Sequence, residues 1–163
     1  MELKKKLIAP SGYVYDIKYL YTVIISLRKK NGSLETNDKT IGYFKKMINN
    51  YNYAKASKYG LSFKPRDVNT YVVKHVLTEL KNLKLIQIET GRLFLTSEGE
   101  NIASLIENKD SKKLKELFTI LMLDNFAIFE YFLKRIREVS NGKGIPIPLL
   151  SFPAFDKCNG DTK

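Results

Sequence analysis

The chain of 163 residues has one cysteine, one histidine and no tryptophan. A lone cysteine forms no internal disulfide, and Cys158 stands in a polar tail. Cys158 and His75 are the whole Cys/His inventory, which excludes a structural zinc site built from four such ligands. The longest apolar runs fall far short of the ~20 residues that a membrane span needs. Met1 to Pro10 starts basic, but its apolar stretch is too brief for a secretory signal. No glycine-rich phosphate loop is present, so nucleotide hydrolysis has no anchor. No repeat of solenoid period is visible. These absences predict a soluble, cytoplasmic protein of one domain, or of one domain with an appendage.

What is present is basic charge, unevenly placed. The chain carries 28 Lys+Arg against 17 Asp+Glu, a net charge of +11. Met1 to Thr96 holds 18 basic and 7 acidic residues, whereas Ser97 to Lys163 holds 10 of each. The whole excess therefore belongs to the first part. Within it, Lys39, Lys45, Lys46, Lys55, Lys58, Lys64 and Arg66 follow one another with no acid between them. Tyr43, Tyr51, Tyr53 and Tyr59 lie among them. Basic groups mixed with Tyr and free of acids make a surface suited to phosphate oxygens. A Lys-rich composition, 23 Lys to 5 Arg, accounts for many lysines but not for the missing acids. Membrane-surface binding is the weaker reading, because no basic helix with a bulky apolar face appears here.

Asp16 to Lys30 reads as a helix, with Leu20, Val23, Ile24 and Leu27 at helical spacing and Asn31-Gly32 as its stop. Thr36-Asn37-Asp38 offers caps for a second, carrying Ile41, Phe44, Lys45 and Ile48. Asn49 to Phe63 reads as either a short helix or a loop. Pro65-Arg66-Asp67 opens the clearest helix, which runs to Leu83. Its Val72, Val73, Val76, Leu77, Leu80 and Leu83 share a side about 140° wide at ~100° per residue. Leu85 to Glu89 and Arg92 to Leu95 are short strands joined by Thr90-Gly91, a hairpin signal. Thr96 or Ser97 caps a helix reaching Glu107, and Ser97 with Glu100 has capping-box spacing. Ser111 to Val139 is long and helical, with Asp124-Asn125 as a place where it could split.

Three helices, a hairpin and a helix, in that order, resemble a winged-helix domain. Val76-Leu-Thr-Glu-Leu80-Lys-Asn-Leu-Lys-Leu85-Ile86 resembles the end of a recognition helix running into the first wing strand. Arg92-Leu-Phe-Leu95-Thr96-Ser-Glu-Gly99 is similar to the second wing strand followed by the Leu-Thr-x-x-Gly turn of prokaryotic and archaeal winged-helix regulators. The resemblance covers Val68 to Glu107 well, Asp16 to Ile48 loosely and the C-terminal part hardly at all. Two departures stand out: Lys84 occupies a position where many relatives carry Gly, and the Asn49-to-Lys64 connection is long and basic.

The resemblance implies double-stranded DNA as partner. A major groove about 12 Å wide admits one helix, whose outward side chains reach base edges. On the helix from Asp67 to Leu83 these are Thr70, Tyr71, Lys74, His75 and Thr78, mostly in its N-terminal half. Lys81 and Lys84 would lie nearer the backbone, and Arg92 beside the wing tip would touch phosphate or minor groove. With Lys39, Lys45, Lys46, Lys55, Lys58, Lys64 and Arg66 they make the candidate phosphate contacts. The plainer alternative is the solvated face of an amphipathic helix. Arg is absent from that face, so base specificity is expected to be modest.

Catalytic chemistry finds little support. His75 is by type an ordinary surface residue, or else a pH-sensitive DNA contact. Pairing it with Cys158 would need a flexible tail to organise an active site. Glu79-Leu80-Lys81 spells half of a metal-dependent nuclease motif, but on a helix and without a second carboxylate. No enzyme activity, metal or cofactor is expected.

Ser111 to Ser140 carries Phe118, Phe126, Phe129, Tyr131 and Phe132. This aromatic surplus supports a homodimer through the helices of residues 111–139, which would set two recognition helices one DNA turn apart. Packing back onto Tyr15, Tyr19, Tyr21 and Phe44 is the alternative, and a further helical module within a DNA-processing assembly is a third. The expected fold is thus mainly α with a small β-hairpin (α+β). It comprises a lead-in (1–12), a winged helix-turn-helix (13–107), a C-terminal helical extension (108–150) and a tail (151–163). The expected function is sequence-dependent DNA binding, as a transcriptional regulator acting by occupancy. Its rivals are a protein-interaction scaffold and the recognition part of a restriction or replication machine.

Overall fold

A computed structural model describes residues 17–60, 65–126 and 134. The chain divides into two compact units, one spanning residues 11–115 and the other residues 1–10 with 116–163. Among the described residues the fold is α+β: five helices and one three-stranded antiparallel sheet.

Helix α1 (Ile17–Arg28) buries Leu20, Val23, Ile24 and Leu27, the stripe that its sequence spacing marks. It closes through Asn31 at φ +57°, with Gly32 N–H donating to the Leu27 carbonyl and Asn31 N–H to that of Arg28. Strand β1 (Ser33–Glu35) follows. Helix α2 (Asp38–Lys58) starts where Asn37 Oδ1 accepts from Thr40 N–H, and buries Phe44 and Ile48. Helix α3 (Thr70–Asn82) buries Val73, Val76 and Leu80. Strands β2 (Ile86–Glu89) and β3 (Arg92–Leu95) form a hairpin through Thr90-Gly91, and helix α4 (Ser97–Glu107) buries Ile102 and Ala103. Full burial of a Leu, Ile or Val side chain is worth about 1.5–3 kcal/mol, so this shared core is the main force holding the elements together.

Four local expectations need correction. The sheet has a third strand, because β1 pairs with the other edge of β3, Leu34 opposite Leu93. Three residues show no periodicity, and only the open edge of β3 makes them a strand. Residues 49–58 are neither loop nor separate helix but the second half of the continuous α2, about 30 Å long at 1.5 Å per residue. Helix α3 begins at Thr70, not Asp67, since Asn69 Oδ1 caps Val72 N–H at 2.9 Å. The cap of α4 is Thr96, whose Oγ1 accepts from Gly99 N–H at 3.0 Å, so the Ser97/Glu100 capping box does not form.

Arg28 ties α1 to α4. Its guanidinium lies 3.5 Å from Glu100 and 3.4 Å from Glu107, and donates to Ser104 Oγ at 3.0 Å. Helix α5 (Ser111–Asn125) begins in the first unit and has its residues from Glu116 in the other, where Phe118, Leu121 and Phe126 are buried. Phe129, Tyr131 and Phe132, on which the dimer expectation also rests, lie outside the described residues, as does the tail. No described helix is long and apolar enough to cross a membrane.

Candidate nucleic-acid interface

Helix α3 divides cleanly into two faces. At ~100° per residue, Thr70, Lys81, Lys74, Thr78, Tyr71 and His75 span about 140°, and Val73, Val76, Leu80 and Leu83 fill the opposite side. Thr70, Tyr71, Lys74, Thr78 and Lys81 are exposed, Tyr71 by 51%, and His75 is half-buried. Tyr71 and His75 meet edge to face with centroids 4.2 Å apart, so each limits the other's rotamers. The Thr78 hydroxyl donates to the Lys74 carbonyl at 2.9 Å, which commits its proton to the helix. The acid on α3, Glu79, is buried and lies one turn after His75, about 40° beyond the edge of this face.

The acid-free basic segment is not one patch. Because α2 is a single helix, its lysines point to different sides. Relative to Lys39, Lys46 lies within about 20°, Lys45 is about 120° away, and Lys55 about 160° away. Lys45 and Arg66 line one groove of about 520 Å³ with Tyr19, Asp67, Val68, Asn69 and Val72, at the N-terminus of α3. The α3 dipole and its first N–H groups add positive potential there. This entry segment is held by α2: Asn49 Oδ1 accepts from Val68 N–H at 2.9 Å, and the Tyr53 hydroxyl donates to the Asp67 carboxylate. That bond is the main reason the Tyr53 phenol is raised above its ordinary value, followed by desolvation and the charge of Asp67.

A second groove, of about 450 Å³, brings Lys39 and Arg92 together with Lys30, Ser33, Glu35, Asn37 and Tyr43. Arg92 donates through Nε and one terminal nitrogen to Ser33 Oγ, at 3.2 and 3.0 Å, which fixes its plane. Glu35 and Glu89 stand opposite Arg92 on its two neighbouring strands. Residues paired across strands share a face, so two carboxylates flank this cation and lower the potential around it. Lys81 and Lys84 are exposed at the C-terminal end of α3, and Lys55 and Lys58 at that of α2. Lys64 lies outside the described residues.

Sequence reasoning missed Lys30 and Asn69. Lys30, just past the end of α1, lines the Lys39 groove at a distance in sequence that local patterns do not span, and its Nζ sits 5.7 Å from the Tyr43 centroid. Asn69 is legible in principle as a cap residue before Val72-Val73, but Pro65-Arg66-Asp67 offers a stronger start signal upstream. Among the described residues no group of three or more His, Cys, Asp or Glu could hold a metal ion. Compared with known proteins, the chain matches no protein family, no curated protein and no solved structure.

Proposed function

We propose that this chain binds double-stranded DNA as a winged helix and acts by occupancy, as a transcriptional regulator. The observation that carries the reading is the exposed, acid-free face of α3, with Lys45 and Arg66 lining a groove at the N-terminus of the same helix. The element order and the pairing of β1 with β3 add support, because a winged helix has the same helix–strand–helix–helix–strand–strand course. In this reading α3 enters the major groove, with Thr70, Tyr71, Lys74, His75 and Thr78 toward base edges. Lys45 and Arg66 hold a phosphate at the start of the helix, and Lys39, Lys46, Lys81 and Lys84 lie toward flanking phosphates. Homodimerisation through residues 111–139 would set two such helices on a palindromic site.

Fluorescence anisotropy on a random duplex, titrated with salt, tests this. Neutralising ~7 phosphates predicts a log-log slope near −6. Lys45→Glu with Lys74→Glu is expected to abolish binding. Absence of duplex binding at low salt would sink this reading, and absence of binding to a matching single strand as well would leave a protein-interaction scaffold.

A further inference from the structure

The face of α2 that is core in its first turns changes character in its last. Phe44 and Ile48 are buried, while Lys55 and Tyr59 are exposed about two and three turns beyond Ile48, within about 60° of the same line at ~100° per residue. Ala56 is still buried in these last turns, but on another side of the helix, about 120° around from the Phe44 line. What continues along this line is Tyr51, Lys55, Lys58 and Tyr59, in a stretch without acids. Tyr51 is held edge-on by Tyr19, with centroids 6.2 Å apart, and Lys55 Nζ lies 5.8 Å from the Tyr51 centroid. Asn52 Nδ2 donates to the Tyr19 hydroxyl at 3.0 Å, fixing the support from behind. Tyr59, at the helix end, is 65% exposed, the most of any large hydrophobic side chain described. Lysines in a last turn answer to the helix dipole. An exposed tyrosine does not, since burial would be its lower-energy state.

We infer that this C-terminal overhang of α2 is a second nucleic-acid surface, which takes unpaired nucleotides: a base stacks on Tyr59 while Lys55 and Lys58 meet the adjoining phosphates. The chemistry fits single-stranded chain, because stacking on an aromatic face needs a base out of its pair, and lysines beside it track the backbone. The surface is set apart from Lys45 by about 15–21 Å along the α2 axis, and from Lys39 by about 100–160° around it. It does not depend on that reading.

Anisotropy with three probes tests it: a blunt duplex, the same duplex with a single-stranded tail, and oligo-dT. The wild-type chain is expected to bind the tailed duplex about tenfold more tightly than the blunt one, the equivalent of one stacked base. Tyr59→Ala, which changes no charge, and Lys55→Glu with Lys58→Glu should each bring that ratio close to one with helical circular dichroism unchanged. Lys46→Glu, on the other side of α2, should weaken duplex binding and leave the ratio intact. Equal wild-type affinity for tailed and blunt duplex, or variants that keep the wild-type ratio, would overturn the inference. Binding to oligo-dT that Tyr59→Ala removes, without duplex binding, would uphold it and sink the duplex reading alone.

Discussion

Gly99 packs directly against the carbonyl of Leu85: a Cβ placed on Gly99 would lie 2.2 Å from that oxygen. Thr96 N–H donates to the same carbonyl at 3.1 Å, and the Thr96 hydroxyl donates to the Lys84 carbonyl at 2.7 Å. The start of α4 is thus fastened to the exit of α3. Gly99→Ala is expected to destabilise by about 1–3 kcal/mol, because backbone rather than a flexible side chain must move. Denaturant unfolding checks this, and an unchanged midpoint would contradict the close approach.

Lys84 sits at φ +58°, with Leu85 N–H donating to the Leu80 carbonyl and Lys84 N–H to that of Lys81. This is a Schellman closure with lysine where glycine is the usual residue. A non-Gly residue pays about 1–2 kcal/mol in that conformation, partly offset by the entropy that Gly loses on folding. Lys84→Gly should therefore raise stability by about 0.5–1 kcal/mol, seen as a rise of a few degrees in the melting midpoint. The same variant should reduce the steepness of the salt dependence of DNA binding by about one.

Thr78 and Lys74 separate two kinds of contact. Since the Thr78 hydroxyl proton is committed to the Lys74 carbonyl, this side chain has no proton to give a base edge. Thr78→Val is expected to leave duplex affinity within about twofold, whereas Lys74→Ala should weaken it by about 1–3 kcal/mol, the scale of one base or close phosphate contact. Comparable losses from the two substitutions would show that the hydroxyl does turn toward DNA.

Glu89 and Glu35 flank Arg92 across the strands. A wing lying along a phosphate backbone would be opposed by those carboxylates. Glu89→Gln should tighten duplex binding about two- to fivefold, the effect of a single exposed charge, with more gain at low salt. An affinity that does not move places the wing away from the backbone and removes Arg92 from the contacts.

Tyr53 and Asp67 give a pH test. The Tyr53 phenol is raised chiefly because it donates to the Asp67 carboxylate. A group raised on folding stabilises fully below its unfolded value, near 10, and loses that contribution as pH climbs through the folded value. The stability gap between wild type and Tyr53→Phe should hold constant up to about pH 10 and shrink above it. Tyr21 is also raised, by burial, but it titrates in both proteins and cancels in the difference. A gap that stays constant at high pH would mean that the bond adds nothing.

The sequence by itself determined the helix faces and the hairpin. Leu20, Val23, Ile24 and Leu27 are buried as their spacing requires, and Val73, Val76, Leu80 and Leu83 turn α3 so that Thr70, Tyr71, Lys74 and Thr78 face outward. Such patterns are local, written within a few turns of chain, and the hydrophobic effect reads them directly. Tertiary structure alone decided the rest. Ser33 to Glu35 is a strand only because β3 presents an open edge. Lys30, Lys39 and Arg92 share a groove, as do Lys45 and Arg66, although long stretches of chain separate them. The run of lysines from Lys39 to Lys58 looks like one patch in the sequence, yet a continuous helix sends it in three directions. Charge carries no periodicity that burial must obey, so where it converges is set by how the apolar faces pack.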